Sequence, residues 1–183
     1  AYTEVNDVNT ARNQLPGIGS STAGLIFGGY TGSSVNNTES WNGSNWTEKN
    51  DLNTARSLSG GDGTNTSGLW FGGDTPGSVA VTAQWDGTDW TEVNDVNTAR
   101  RSGKGAGLYN AALFISGYPT TVSSAVESWD GTSWTEIAEV NTARSQGSAS
   151  GSQTSALFYF GYSTTTVSIT ESWNGTSWTE VAD

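Results

Sequence analysis

Apolar residues along this chain come in brief bursts, and the bursts recur. Four of them are aliphatic and aromatic runs closed by glycine: GLIFGG (24–29), GLWFGG (68–73), ALFISG (112–117) and ALFYFG (156–161). Short apolar runs bounded by turn formers read as buried strands. A Gly/Ser-rich stretch such as RSLSGGDG (56–63) comes before each run. After it comes a loop spelled differently every time: YTGSSVNN (30–37), DTPGSVAV (74–81), YPTTVSSA (118–125) and YSTTTVSI (162–169). A third segment then leads into a Trp, and an Asn-Gly or Asp-Gly turn reverses the chain, as hairpins prefer. The fourth segment carries a second Trp and Thr-Glu. No segment has helical periodicity with caps, so the pattern predicts an all-β chain.

The spacing is constant. Trp41, Trp85, Trp129 and Trp173 fall at steps of 44 residues, and so do Trp46, Trp90, Trp134 and Trp178. Arg12, Arg56, Arg100 and Arg144 keep the same step, each at the end of an Asn-Thr-Ala-Arg string. Repeats of about this length with four strands each are the signature of β-propeller blades. The expected architecture is a single propeller domain over 1–183, built of four-stranded antiparallel blades. Its units run over about 12–55, 56–99, 100–143 and 144–183. Residues 1–11 form a spare outer strand and crossover loop, because AYTEVND restates the closing SWTEVAD with Tyr2 in the place of Trp178. The spare copy leaves two expectations open: four blades that close a ring alone, or a portion of a larger or shared ring, with homo-oligomers or neighbouring parts of a parent chain as partners. The missing initiator Met points to a segment of a longer protein.

The diglycine closing the second strand (Gly28-Gly29, Gly72-Gly73), an aromatic in the third strand, a Trp in the fourth and a downstream Arg together resemble the kelch repeat. The resemblance spans all four units. It departs from the kelch pattern at Ser116-Gly117 and Phe160-Gly161, in using Trp as the third-strand aromatic, and in a short Trp-to-Trp turn. The uniform spelling also resembles tandem kelch-like arrays of phage and bacterial surface proteins. The physical logic of a propeller fits the same residues. Slender Gly and Ser suit inner strands crowded at the hub, and indole rings suit the widening gaps between blades.

Composition narrows the function. The net charge is −11, with only seven Lys and Arg, which argues against nucleic-acid or anionic-membrane partners. No apolar stretch approaches the ~18 residues of a membrane span. The absence of Cys and His removes disulfides, thiolate chemistry, zinc ligands and the usual base of a nucleophilic triad. It also removes the ligands of the copper-radical oxidases built on kelch propellers. No cofactor and no metal is expected, and no calcium-loop signature is present.

The expected function is therefore a non-catalytic structural or binding module of an extracellular or virion-surface protein. Its ligand would be a glycan or a protein met by the variable loops. Tyr30, Tyr118 and Tyr162 open three of those loops and Asp74 opens the fourth. Arg12, Arg56, Arg100 and Arg144 have two readings: a ring of guanidinium groups around the opening, or architectural links to a Glu or to loop carbonyls. Glu48, Glu92, Glu136 and Glu180, which keep the same period, are the carboxylates in view. Two alternatives stand beside the binding module. One is a pure scaffold of a fibre or array. The other is a glycoside hydrolase using Asp62 and Asp74, carboxylates outside the repeat frame.

Overall fold

A computed structural model describes residues 3–181. Tyr2, and with it the proposed match to Trp178, lies outside the described residues. The fold is a four-bladed β-propeller, with sixteen strands and no helix among the described residues. Blade 1 comprises β1 (Gly17–Ser20), β2 (Ala23–Phe27), β3 (Thr38–Trp41) and β4 (Trp46–Lys49). Blade 2 comprises β5 (Gly60–Thr64), β6 (Ser67–Phe71), β7 (Thr82–Trp85) and β8 (Trp90–Val93). Blade 3 comprises β9 (Lys104–Leu108), β10 (Ala111–Gly117), β11 (Ser123–Trp129) and β12 (Trp134–Ile137). Blade 4 comprises β13 (Ser148–Ser152), β14 (Ser155–Tyr159), β15 (Thr170–Trp173) and β16 (Trp178–Val181). Every sheet is an antiparallel meander in chain order. Residues 3–7 belong to no strand.

Inner strands of successive blades lie side by side, β1 by β5, β5 by β9 and β9 by β13. Small residues permit the approach: a Cβ on Gly61 would come within 2.9 Å of the Phe27 ring across the seam. At the rim, the third and fourth strands pair Trp with Trp in register, Trp41 with Trp46 and Trp85 with Trp90. A four-residue turn joins each pair. In blade 1 the Asn42 side chain accepts from the Ser44 and Asn45 amides, and Gly43 takes a φ of 93°.

The core is three apolar seams between consecutive blades. Leu25 and Phe27 of blade 1 meet Trp70, Trp85 and Trp90 of blade 2. Leu69 and Phe71 of blade 2 meet Phe114, Trp129 and Trp134. Leu113, Ile115 and Val126 of blade 3 meet Phe158, Trp173 and Trp178. Burying one indole removes ~150–250 Å² from water, on the order of 4–6 kcal/mol gross at ~25 cal/mol/Å². Two of the seams are also tied by hydrogen bonds, Trp90 Nε1 to Thr38 Oγ1 at 3.0 Å and Trp134 Nε1 to Thr82 Oγ1 at 3.1 Å. The third has Val126 at the threonine position, and Trp178 Nε1 is buried without a partner.

Diglycine has a mechanical cause. Gly28 and Gly72 both have φ of 63°, and a Cβ there would sit 2.7 Å from Arg56 O and 2.6 Å from Arg100 O of the following unit. Their neighbours Gly29 and Gly73 donate backbone N–H bonds to those same carbonyls. Ser116 and Phe160 hold the same left-handed conformation, φ 62° and 59°, which is strained for a residue with a Cβ. Ser116 compensates by placing its one hydroxyl proton between two carbonyl acceptors, Ser123 O at 2.7 Å and Arg144 O.

Candidate functional site

The periodic arginines fasten the fold. Arg12, Arg100 and Arg144 each reach a third-strand glutamate of their own blade: Glu39, Glu127 and Glu171. Each glutamate also accepts two backbone N–H bonds from the incoming crossover, Asn97 and Thr98 for Glu127 and Asn141 and Thr142 for Glu171. Each Arg Nε donates to the carbonyl at the diglycine position, Gly28, Ser116 or Phe160. The pairs are closed off from solvent, with side-chain exposures of 0–1%. No ring of free guanidinium groups faces the opening among the described residues. The partners are also not the Thr-Glu carboxylates that the repeat brings to notice: Glu48, Glu92, Glu136 and Glu180 all point to solvent. Burial works to raise the Glu39 carboxyl. The Arg12 hydrogen bond and charge, with the Asn9 and Thr10 amides, outweigh it and hold the pKa below the ordinary value.

Blade 2 breaks this rule. The position of the glutamate is Ala83, and Arg56 has no carboxylate. Its guanidinium instead lies flat on the Trp70 ring, 3.3 Å from the centroid, and donates to Val81 O at 2.5 Å. Its Nε and Nη2 are buried and unpartnered. Burial pulls its pKa down to about 9, and the charges of Glu92 and Asp95 offset it only in part.

The residues that depart from the repeat spelling gather on the axis. Gln14, Leu58, Ser102 and Gln146, one from each unit, all adopt left-handed backbone. They surround the mouth of the hub, a cavity of about 630 Å³ on the variable-loop side. Asp74, Arg101 and Tyr118 complete its wall. Arg101 donates to Asp74 at 2.6 Å and stands 5.3 Å over the Tyr118 ring. Asp74 also accepts from the Gly77 amide at 3.1 Å. Below the mouth, smaller hollows of about 130 and 300 Å³ continue between the inner strands, and Lys104 lines both. Burial depresses its pKa, and among the described residues its ammonium meets no hydrogen-bond or ion-pair partner.

The mouth therefore unites Asp74 and Tyr118 of the expected site residues. Tyr30 lines an adjacent hollow of about 530 Å³ that shares Asp74 as a wall. Tyr162 is exposed and lines neither. Asp62 is far from solvent at its acidic end: its Oδ2 is buried without a partner at the blade 2–blade 3 seam, close over Gly105. Burial raises its pKa well above the ordinary value. It does not share the mouth with Asp74. Arg101, Lys104, Gln14 and Gln146 belong to no motif visible in the sequence pattern. The available signal was departure from register: Arg101 stands where the other units have Asn13, Ser57 and Ser145, and Lys104 where they have Pro16, Gly60 and Ser148. Compared with known protein families and with curated protein sequences, the chain gives no match.

Proposed function

We propose that the chain is a non-catalytic, kelch-type binding module whose ligand, a glycan, seats in the mouth of the hub on the variable-loop face. One observation carries this reading. In a chain whose seams repeat unit by unit, Asp74, Arg101 and Lys104, each unlike its counterparts in the other three units, collect with Tyr118 at one opening built by all four units. A purely architectural hub has no use for that asymmetry. The chemistry suits a polyhydroxylated ligand. A carboxylate, a guanidinium and amide groups supply directional donors and acceptors, and the Tyr118 ring supplies an apolar face for a sugar ring. Lys104, unpartnered in the throat, offers a cation to an acceptor-rich or acidic substituent. Glycoside hydrolysis needs two carboxyl groups flanking the bond. The mouth holds one, Asp74, engaged by Arg101. An extracellular or virion-surface setting fits a glycan-reading role.

The test is titration of the folded chain against a panel of oligosaccharides, with Tyr118→Ala and Lys104→Ala alongside. Binding that falls tenfold or more in both variants, with unchanged melting temperature, is the expected result. Binding to no glycan, or binding that both variants leave intact, overturns the reading.

A further inference from the structure

Each blade has a forward face and a rear face, and the three internal seams show how they dock. The forward face presents a second-strand Leu: Leu25, Leu69 and Leu113 are each 0% exposed under the next blade. The rear face presents the fourth-strand Trp: Trp90, Trp134 and Trp178 are each 6% exposed. The two end faces have no such cover. On blade 4, Leu157 is 42% exposed and Phe160 57%. On blade 1, Trp46 is half-buried, and with Ile26 and Trp41 it lines an apolar hollow of about 530 Å³. Around the axis a ladder of backbone bonds runs from Leu58 N–H to Gln14 O at 2.8 Å, Ser102 N–H to Leu58 O at 2.7 Å and Gln146 N–H to Ser102 O at 3.0 Å. It ends with the Gln14 amide and the Gln146 carbonyl as its two free ends among the described residues.

We infer that the forward face of blade 4 docks on the rear face of blade 1 of a second copy, head to tail. Both halves of the contact are already made three times inside one chain, so the occupant's chemistry is fixed: a rear face with paired tryptophans over a forward face with a central leucine. The polar register matches as well. Thr170 stands where Thr38 and Thr82 accept the Trp90 and Trp134 indoles, so its hydroxyl meets Trp46 Nε1 of the incoming copy. The contact is heterologous, because the two faces differ.

Sedimentation equilibrium tests the assignment. The wild-type chain is expected at multiples of the monomer mass. Leu157→Glu and Trp46→Glu, each at a position already reached by solvent, are expected to be folded monomers by circular dichroism. Mixed in equal amounts, the two variants are expected to form a heterodimer through the one undamaged pair of faces. Phe160→Gly is expected to tighten association several-fold, since Gly28 and Gly72 make room at that position for the next unit's arginine carbonyl. A wild-type monomer at every concentration overturns the inference, including one whose Trp46 is shielded from acrylamide by its own blade 4. So does a multimer that Leu157→Glu leaves intact, a mixture that stays monomeric, or weaker association in Phe160→Gly.

Discussion

Arg56 and Arg100 occupy the same position in successive units, yet replacing each with Met is expected to change stability in opposite directions. Arg100 is fully buried, donates to Glu127, and makes further bonds to Thr98 O, Phe114 O and Ser116 O. Its removal strands a buried carboxylate, at a cost of about 3–5 kcal/mol. Arg56 has no carboxylate to strand. The fall of its pKa from the ordinary arginine value to about 9 corresponds to about 5 kcal/mol set against the charged form at neutral pH. Met retains the apolar stem over Trp70 and discards the charge. It forfeits the bond to Val81 O, worth about 1.5–3 kcal/mol for a charged donor, so the expected net gain is about 2 kcal/mol. In a domain of this size that is a rise of roughly 4–8 °C in melting temperature, read by circular dichroism at neutral pH. The pH dependence carries the same sign. Folded Arg56 titrates below its unfolded value, so the unfolded chain binds more protons from about 9 up to the ordinary arginine value, and stability rises with pH across that window. The difference between wild type and Arg56→Met therefore shrinks as pH climbs through it. Equal losses in Arg56→Met and Arg100→Met would refute the reasoning.

Restoring the sibling arrangement is the complementary change: Ala83→Glu combined with Trp70→Phe gives blade 2 the Glu and Phe of blades 3 and 4, and is expected to stabilise by about 2 kcal/mol in urea unfolding. Ala83→Glu alone gains less, because the larger side chain meets Trp70 in a filled site. Val126→Thr supplies the missing acceptor for Trp178 Nε1 and is expected to gain about 1 kcal/mol; a loss of stability would show that the hydroxyl does not reach the indole. Asp62→Ala, which copies Ala106, is expected to stabilise at neutral pH. Because the folded Asp62 pKa lies above the unfolded one, wild-type stability falls as pH rises from the ordinary carboxylate range through the raised value, and the variant lacks that slope in melts run across this range.

The blades and their order were legible because they rest on local chemistry. Gly at 28 and 72, the turn glycines and the paired tryptophans act through steric limits and hairpin pairing that any reader of the chain can apply. The architectural reading of the arginines was available too, but not their partner. Glu39 and Glu171 sit inside a Thr-Glu-Ser-Trp string, and Glu127 inside Val-Glu-Ser-Trp, that looks like ordinary strand spelling. The conspicuous Thr-Glu carboxylates follow the second Trp and face water. In a strand, adjacent residues face opposite ways, and spacing alone does not say which glutamate lies under the crossover. The mouth was less legible still. Asp74 and Tyr118 stand out as loop openers, while Arg101, Lys104 and the two glutamines become neighbours only where inner strands from all four units meet at one axis.

By itself the sequence determined the repeat length, the four-stranded unit, the small residues at the hub and the indoles between blades, because each depends on contacts that recur with the period. The tertiary structure alone decided what the period cannot express: the lone buried charge of Arg56 in the blade that lost its glutamate, the polar mouth assembled from residues that break register, and the two apolar faces at the ends. Those features come from contacts between units that differ, and from faces left open in this structure, so no single repeat contains the information.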